Sequence, residues 1–319
     1  MFFQMNPPRI EEDKLIIVGG APRSGTTLVQ NMLGAHPHVL GGPEILHLHH
    51  ILDVRKRILD SHARGWLDFY CDKEMVDACF RATILELLSP MGGMQGRTYL
   101  SEKTPENVLA FVDLGELLPK ARFVHVVRDP RAVVSSLLKV GRRARRKGLR
   151  PAPHTASLHE AIAHTRKCVA AGFAAAARMP QRVHTLVYEK VVSAPEQESR
   201  ALCAFLGMAW SEQMLRPSSH RLAGEWPITV GSQEVWYTPE EYRRDPDRNS
   251  VETWRRDLSP LQQAAVAKAF ADIDDYRRLG YVVDAPRSAK LARAAAQFLV
   301  SLPEQIRHRA TATLRAVGR

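Results

Sequence analysis

Residues 15–37 read LIIVGGAPRSGTTLVQNMLGAHP, and this stretch decides the fold. Leu15–Gly20 is a continuous apolar run closed by glycines, the pattern of a strand buried on both faces. A Gly/Ser/Thr/Pro turn follows, and then TTLVQNMLGAHP, whose helical spacing ends near Gly34 and Pro37. Gly20-Ala21-Pro22-Arg23-Ser24-Gly25-Thr26-Thr27 therefore links a buried strand to a helix. Such a loop aims backbone N–H groups and the positive end of the helix at an anion. Gly25 supplies backbone freedom, and Thr26 and Thr27 add hydroxyl donors. A Walker A loop, G-x-x-x-x-G-K-[ST], would place lysine where Thr26 stands, and Arg23 is the loop's one cation. The loop suits a phosphate-bearing ligand without the triphosphate–magnesium clamp, which argues against a P-loop phosphotransferase.

Working outward, ARFVHVV (121–127) is a second buried strand running into Arg128-Asp129-Pro130 and a helix. Asp129 suits the N-cap and Pro130 the first helical position. The same signal recurs at Thr104-Pro105 and Ser259-Pro260. RVHTLVY (182–188) is a third strand, followed by a helix through LCAFL, and residues 45–88 read as helical. Strands alternating with helices predict an α/β fold, a parallel sheet covered on both faces. The expected organisation is one domain over residues 1–285 and a basic amphipathic helical tail over 286–319, broken at Pro303.

The net charge of +11 is localised. Residues 139–150 (KVGRRARRKGLR) hold seven basic residues and no acid, and the tail has a net +6; the remainder is about −2. The basic run lacks interleaved aromatics and any zinc or helix-turn-helix signature, so sequence-specific nucleic-acid reading is not expected. A solvated segment or one that steers an acidic acceptor both fit it. The tail can fold back on its own domain, dock on a partner subunit or lie on an anionic membrane. Without a leader-like start or a long apolar stretch, a cytoplasmic location is expected, peripheral to a membrane if the tail binds one. The four cysteines, Cys71, Cys79, Cys168 and Cys203, fit buried free thiols better than a disulfide framework. His47, His49 and His50 invite a metal reading, but no cysteine or carboxylate pattern completes a site.

APRSGTTLVQNMLGAHP (21–37), FVHVVRDPRAVVSSLLK (123–139) and SVETWRRDLSP (250–260) together resemble the sulfotransferase family, in its branch of tyrosylprotein and bacterial-type enzymes. The resemblance implies a P-loop-type three-layer fold with a central parallel sheet flanked by helices. It also implies transfer of a sulfuryl group from 3′-phosphoadenosine 5′-phosphosulfate (PAPS) to a hydroxyl acceptor, with no metal required. By the same resemblance Arg23, Ser24, Gly25, Thr26 and Thr27 bind the 5′-phosphosulfate, and Arg128 and Ser136 the 3′-phosphate. Tyr188 contacts the nucleotide. Glu44, 21 residues after Arg23, falls where this branch has its catalytic base, and Lys103 matches the lysine set against the leaving oxygen, with Arg23 assisting. The acceptor class stays open among carbohydrates, lipids, small molecules and peptide tyrosines. The branch's tyrosylprotein enzymes carry cysteines near the catalytic carboxylate, where this chain has Gly41-Gly42-Pro43, which argues against a protein-tyrosine acceptor.

Overall fold

Among the described residues the apolar runs found in the sequence become the centre and one edge of a five-stranded parallel sheet in the order β2-β3-β1-β4-β5. The strands are β1 (Leu15–Gly20), β2 (Val39–Gly41), β3 (Tyr99–Lys103), β4 (Arg122–Val127) and β5 (Val183–Val187). The structure, a computed structural model, describes residues 10–219, 235–236 and 245–281. These residues form two compact units, one up to Val251 and one from Glu252. The expected tail at 286–319 lies outside the described residues.

In the first unit, β1 pairs with β3 on one side (Val18 opposite Lys103) and with β4 on the other (Gly20 opposite Val126). β1 is buried along its whole length, as its unbroken apolar sequence requires. The two faces of the sheet carry alternate residues. Ile16, Val18, Val124, Val126 and Leu186 pack against helices α1 (Thr26–Ala35) and α8 (Pro195–Leu206) through Val29, Leu33, Leu202 and Leu206. On the opposite face Phe123 meets Phe111 of α4 (Phe111–Leu117), ring centroids 5.1 Å apart. His125 there meets Phe173 of α6 (Leu158–Arg178) at 5.2 Å. A side chain of this size contributes roughly 1.5–3 kcal/mol when fully buried, so these two faces hold the sandwich together. Gly172 lets α6 approach, since a Cβ there would lie 2.2 Å from the His125 ring.

The remaining helices of this unit are α2 (Leu48–His62), α3 (Lys73–Leu88), α5 (Pro130–Arg146) and α7 (Tyr188–Ser193). Helix α5 starts as its sequence dictates: the Asp129 carboxylate accepts the Arg131 N–H at 2.8 Å and Pro130 occupies the first turn. The basic run is the solvent-facing end of α5, helical to Arg146, with Val140 and Ala144 turned inward against Val235. Arg143, Arg145 and Arg146 lie in the last turn, where their charge offsets the negative helix end. In the second unit Ser259 caps the helix Pro260–Phe270 as expected, with Gln262 bonding back to complete a reciprocal cap, and Phe270 packs edge-on against Tyr276.

Two expectations are corrected. The Thr104 side chain does not cap the following turn; its hydroxyl is turned to the buried Glu102, to which it donates at 2.7 Å. Only Cys168 and Cys203 are buried thiols, whereas Cys79 is exposed and Cys71 half-buried, on and before the outlying helix α3.

Candidate active site

In a parallel sheet every strand ends at the same edge, and ligands bind where the strand order reverses. Here that point lies at β1, since the chain crosses from β3 on one side of it to β4 on the other. The segments leaving the strands at this edge carry Arg23–Thr27 after β1, Glu44 after β2, Lys103 at the end of β3, Arg128 after β4 and Tyr188 after β5.

The loop after β1 turns sharply. Arg23 has φ +74° and Gly25 φ +107°, and the Ser24 N–H donates to the Ala21 carbonyl at 2.9 Å. Gly25 is needed twice: its φ suits glycine, and a Cβ there would sit 2.3 Å from the Tyr188 ring. The loop then opens into α1, whose first N–H groups have no acceptor within the helix. Thr26 and Thr27 are buried at this end, and the Ser24 hydroxyl is buried with no hydrogen-bond partner among the described residues. A buried orphan hydroxyl beside a helix N-terminus is the feature expected of a loop shaped for an anion.

On one side of the loop the Lys103 ammonium reaches both the Glu44 carboxylate, in a short contact, and the Thr27 hydroxyl at 3.2 Å. Lys103 is buried, while Glu44 keeps about a third of its side chain exposed (32%) and so faces the cleft. The segment carrying Glu44 is tied to β3 at several points. The Gly42 N–H donates to the Ser101 carbonyl at 2.8 Å, and the Gln30 amide bridges the Gly42 and Ser101 carbonyls at 3.0 and 2.9 Å. The Ile45 N–H donates to Glu102 at 3.1 Å. Glu102 also accepts from Asn107, and burial raises its pKa to about 7 against the lowering effect of these bonds.

On the other side the Arg23 guanidinium donates to the Ser136 hydroxyl at 3.0 Å and to the Trp236 carbonyl at 2.7 Å. Arg128 donates to the Arg23 carbonyl at 3.2 Å and to the Ser250 carbonyl at 2.7 Å, and its guanidinium lies 4.2 Å from the Tyr188 ring centroid. The Tyr188 hydroxyl meets that of Ser250 at 2.8 Å. Of the ten residues singled out in the sequence, seven fall into two groups, Glu44, Lys103 and Thr27, and Arg23, Arg128, Ser136 and Tyr188, joined by Ser24, Gly25 and Thr26 of the loop. The Arg23 guanidinium is held by Ser136 and the Trp236 carbonyl.

Sequence reasoning missed Glu102 and Trp236, and it found the segment that Ser250 opens without singling out Ser250 itself. Glu102 had a signal, an acid next to Lys103 with Thr104 and Asn107 close behind; Trp236 reaches the site from a distant segment. His47 and His50 do meet, ring nitrogens 3.4 Å apart, but on an exposed surface. Among the described residues the three-residue group spaced for a metal ion is Glu106, His154 and His164.

Fold and site define a P-loop-type α/β protein with a phosphate-loop turn at its topological switch point. The chain belongs to the sulfotransferase family, whose profile matches residues 16–212. It is 31% identical to chicken (Gallus gallus) protein-tyrosine sulfotransferase 2 over 211 residues, covering 64% of this chain and 54% of that protein. Over 277 residues it is 28% identical to protein-tyrosine sulfotransferase A of Caenorhabditis elegans, covering 83% and 67%. The chain thus spans only about half the length of the chicken relative. The fold matches the sulfotransferase domain of the Synechococcus PCC 7002 olefin synthase with a TM-score of 0.52 at 21% identity, over 84% of this chain and 98% of that domain. Mouse sulfotransferase SULT7A1, solved as a complex with PAP, gives 0.52 at 13% identity over 85% and 90%. No described helix is long and apolar enough to cross a membrane.

Proposed function

We propose that this chain transfers a sulfuryl group from PAPS to a hydroxyl acceptor, with Glu44 as the base. The observation that carries the reading is the Glu44–Lys103–Thr27 row beside a loop whose Ser24 hydroxyl is buried and unpartnered. The donor set fits such a nucleotide: an orphan hydroxyl and helix-end amides suit one anionic group, and Arg128, Ser136 and Arg23 suit a second. When bound, PAPS supplies the sulfuryl group and a phosphate leaving group.

The chain's own residues then have distinct tasks. Glu44, partly exposed to the cleft, takes the proton of the attacking hydroxyl at its carboxylate. Lys103 fixes that carboxylate and presents a positive charge beside the loop, where charge-assisted hydrogen bonds stabilise a departing oxygen. Because fixed cations meet that charge, this step asks for no metal ion. Glu102 is a positioning residue, holding the backbone next to Glu44 through the Ile45 N–H. Sulfuryl transfer in this scheme is mostly orientation plus charge stabilisation, as in phosphoryl transfer.

The relatives' names favour a peptide tyrosine as the first acceptor to try, ahead of carbohydrate, lipid and small-molecule hydroxyls. Calorimetry with 3′,5′-adenosine bisphosphate and with magnesium–ATP tests the donor. Metal-independent binding of the bisphosphate, weakened in Arg128→Ala, is expected. Preference for the triphosphate with magnesium would favour a phosphotransferase instead.

A further inference from the structure

Three side chains converge from three separate elements: Glu106 in the 3-10 turn Pro105–Ala110, His154 in the 3-10 turn Pro153–Thr155, and His164 on α6. One ligand atom of each lies within 4.8 Å of the other two. The imidazoles are stacked, centroids 4.4 Å apart and planes at 18°, and His164 Nε2 lies 3.8 Å from the Glu106 carboxylate. We propose that Glu106, His154 and His164 bind one divalent transition-metal ion of the zinc class.

The chemistry of the group supports it. Two imidazole nitrogens and one carboxylate oxygen form a recognised zinc ligand set that leaves a fourth position open. His154 Nε2 is buried and has no hydrogen-bond partner among the described residues, a condition that calls for an occupant. A separation of 3.8 Å is too long for a hydrogen bond, so the carboxylate and the neutral His164 do not satisfy each other directly. Ligands around tetrahedral zinc stand about 3.3 Å apart at bond lengths of roughly 2.0–2.1 Å, so binding draws the three groups together and turns one of the stacked imidazoles until both ring nitrogens point at the ion. Cys168 Sγ lies 3.6 Å from His164 Nε2, adding a soft donor to the surroundings. The histidine-rich stretch 36–50, which attracts attention in the sequence, holds no such convergence.

The test uses the metal-free full chain and zinc alone, titrated in competition with a chromogenic chelator. One ion per chain is expected, and cobalt in its place should give visible absorption bands of a four- or five-coordinate site. Glu106→Gln, which keeps the side chain's shape, and His164→Ala should each weaken binding by more than about 100-fold, since even residues behind the ligands typically contribute 10–100-fold. Circular dichroism melts select variants that remain folded, and His47→Ala/His50→Ala should leave affinity unchanged. The proposal is overturned if the native chain fails to bind zinc at micromolar concentration. It is equally overturned if Glu106→Gln binds as tightly as the native chain, or if binding disappears with the His47/His50 pair. No sulfuryl donor enters the experiment, so its outcome stands apart from that of the activity proposed above.

Discussion

Replacing Lys103 by Met keeps most of a buried stem and removes only its ammonium. That ammonium is 4% exposed at the side-chain level and is held by Glu44 and Thr27, so it is pre-oriented before any ligand arrives. A pre-oriented donor that acts chiefly in the transition state typically contributes on the order of 3–4 kcal/mol. Converted at about 1.4 kcal/mol per tenfold change, the expected loss in kcat is roughly 10²–10³-fold. The folding penalty should be modest, because Glu44 is about one-third exposed (32%) and can turn to water when its partner is gone. Affinity for 3′,5′-adenosine bisphosphate should change by less than about tenfold, since the loop amides, Ser24, Arg128 and Ser136 remain. Steady-state transfer of labelled sulfate to a tyrosine-containing peptide, with calorimetry on the same protein, measures both quantities. Normal turnover with strongly weakened nucleotide binding would refute the reasoning, because it would make Lys103 a ground-state anchor.

Other substitutions probe the supporting structure. Gly25→Ala places a Cβ 2.3 Å from the Tyr188 ring at φ +107°, so it should lower stability by about 1–3 kcal/mol and abolish nucleotide binding, read by thermal denaturation and calorimetry. Gly172→Ala drives a Cβ to 2.2 Å from the His125 ring and should lower the denaturation midpoint while sparing nucleotide affinity in the folded fraction. Glu102 keeps its proton up to about pH 7 in the folded chain but loses it near 4.5 when unfolded. Its contribution is therefore full below about pH 4.5 and is lost as pH rises to 7, a change of about 3 kcal/mol. Denaturant melts of the native chain and Glu102→Gln should diverge over that window, and a pH-independent difference would exclude the buried acid as its source.

The elements legible in the sequence were those whose reasons are local. β1, β4 and β5 announce themselves as apolar runs, and Asp129-Pro130 and Ser259-Pro260 mark helix starts that the structure places at those residues. β3 was illegible because its end, Ser101-Glu102-Lys103, looks like a polar surface. These side chains are buried and are satisfied in part by Gln30, Glu44, Thr27 and Ile45, all distant in sequence, beside Thr104 and Asn107 close behind. β2, three residues long, carries too little pattern to be recognised. The phosphate-loop turn and the Glu44–Lys103 pair could be located by resemblance. The company that Arg23 keeps could not, because Ser136 and Trp236 are 113 and 213 residues away. The Glu106–His154–His164 group was hidden for the same reason, being assembled from two 3-10 turns and a helix.

Diffraction from crystals grown with 3′,5′-adenosine bisphosphate tests the central claim most directly. The account predicts the 5′-phosphate on the Ser24 hydroxyl and the amides of residues 25–27, and the 3′-phosphate within reach of Arg128 and Ser136. A nucleotide bound away from the β1 loop, or one whose 3′-phosphate touches neither Arg128 nor Ser136, would contradict it.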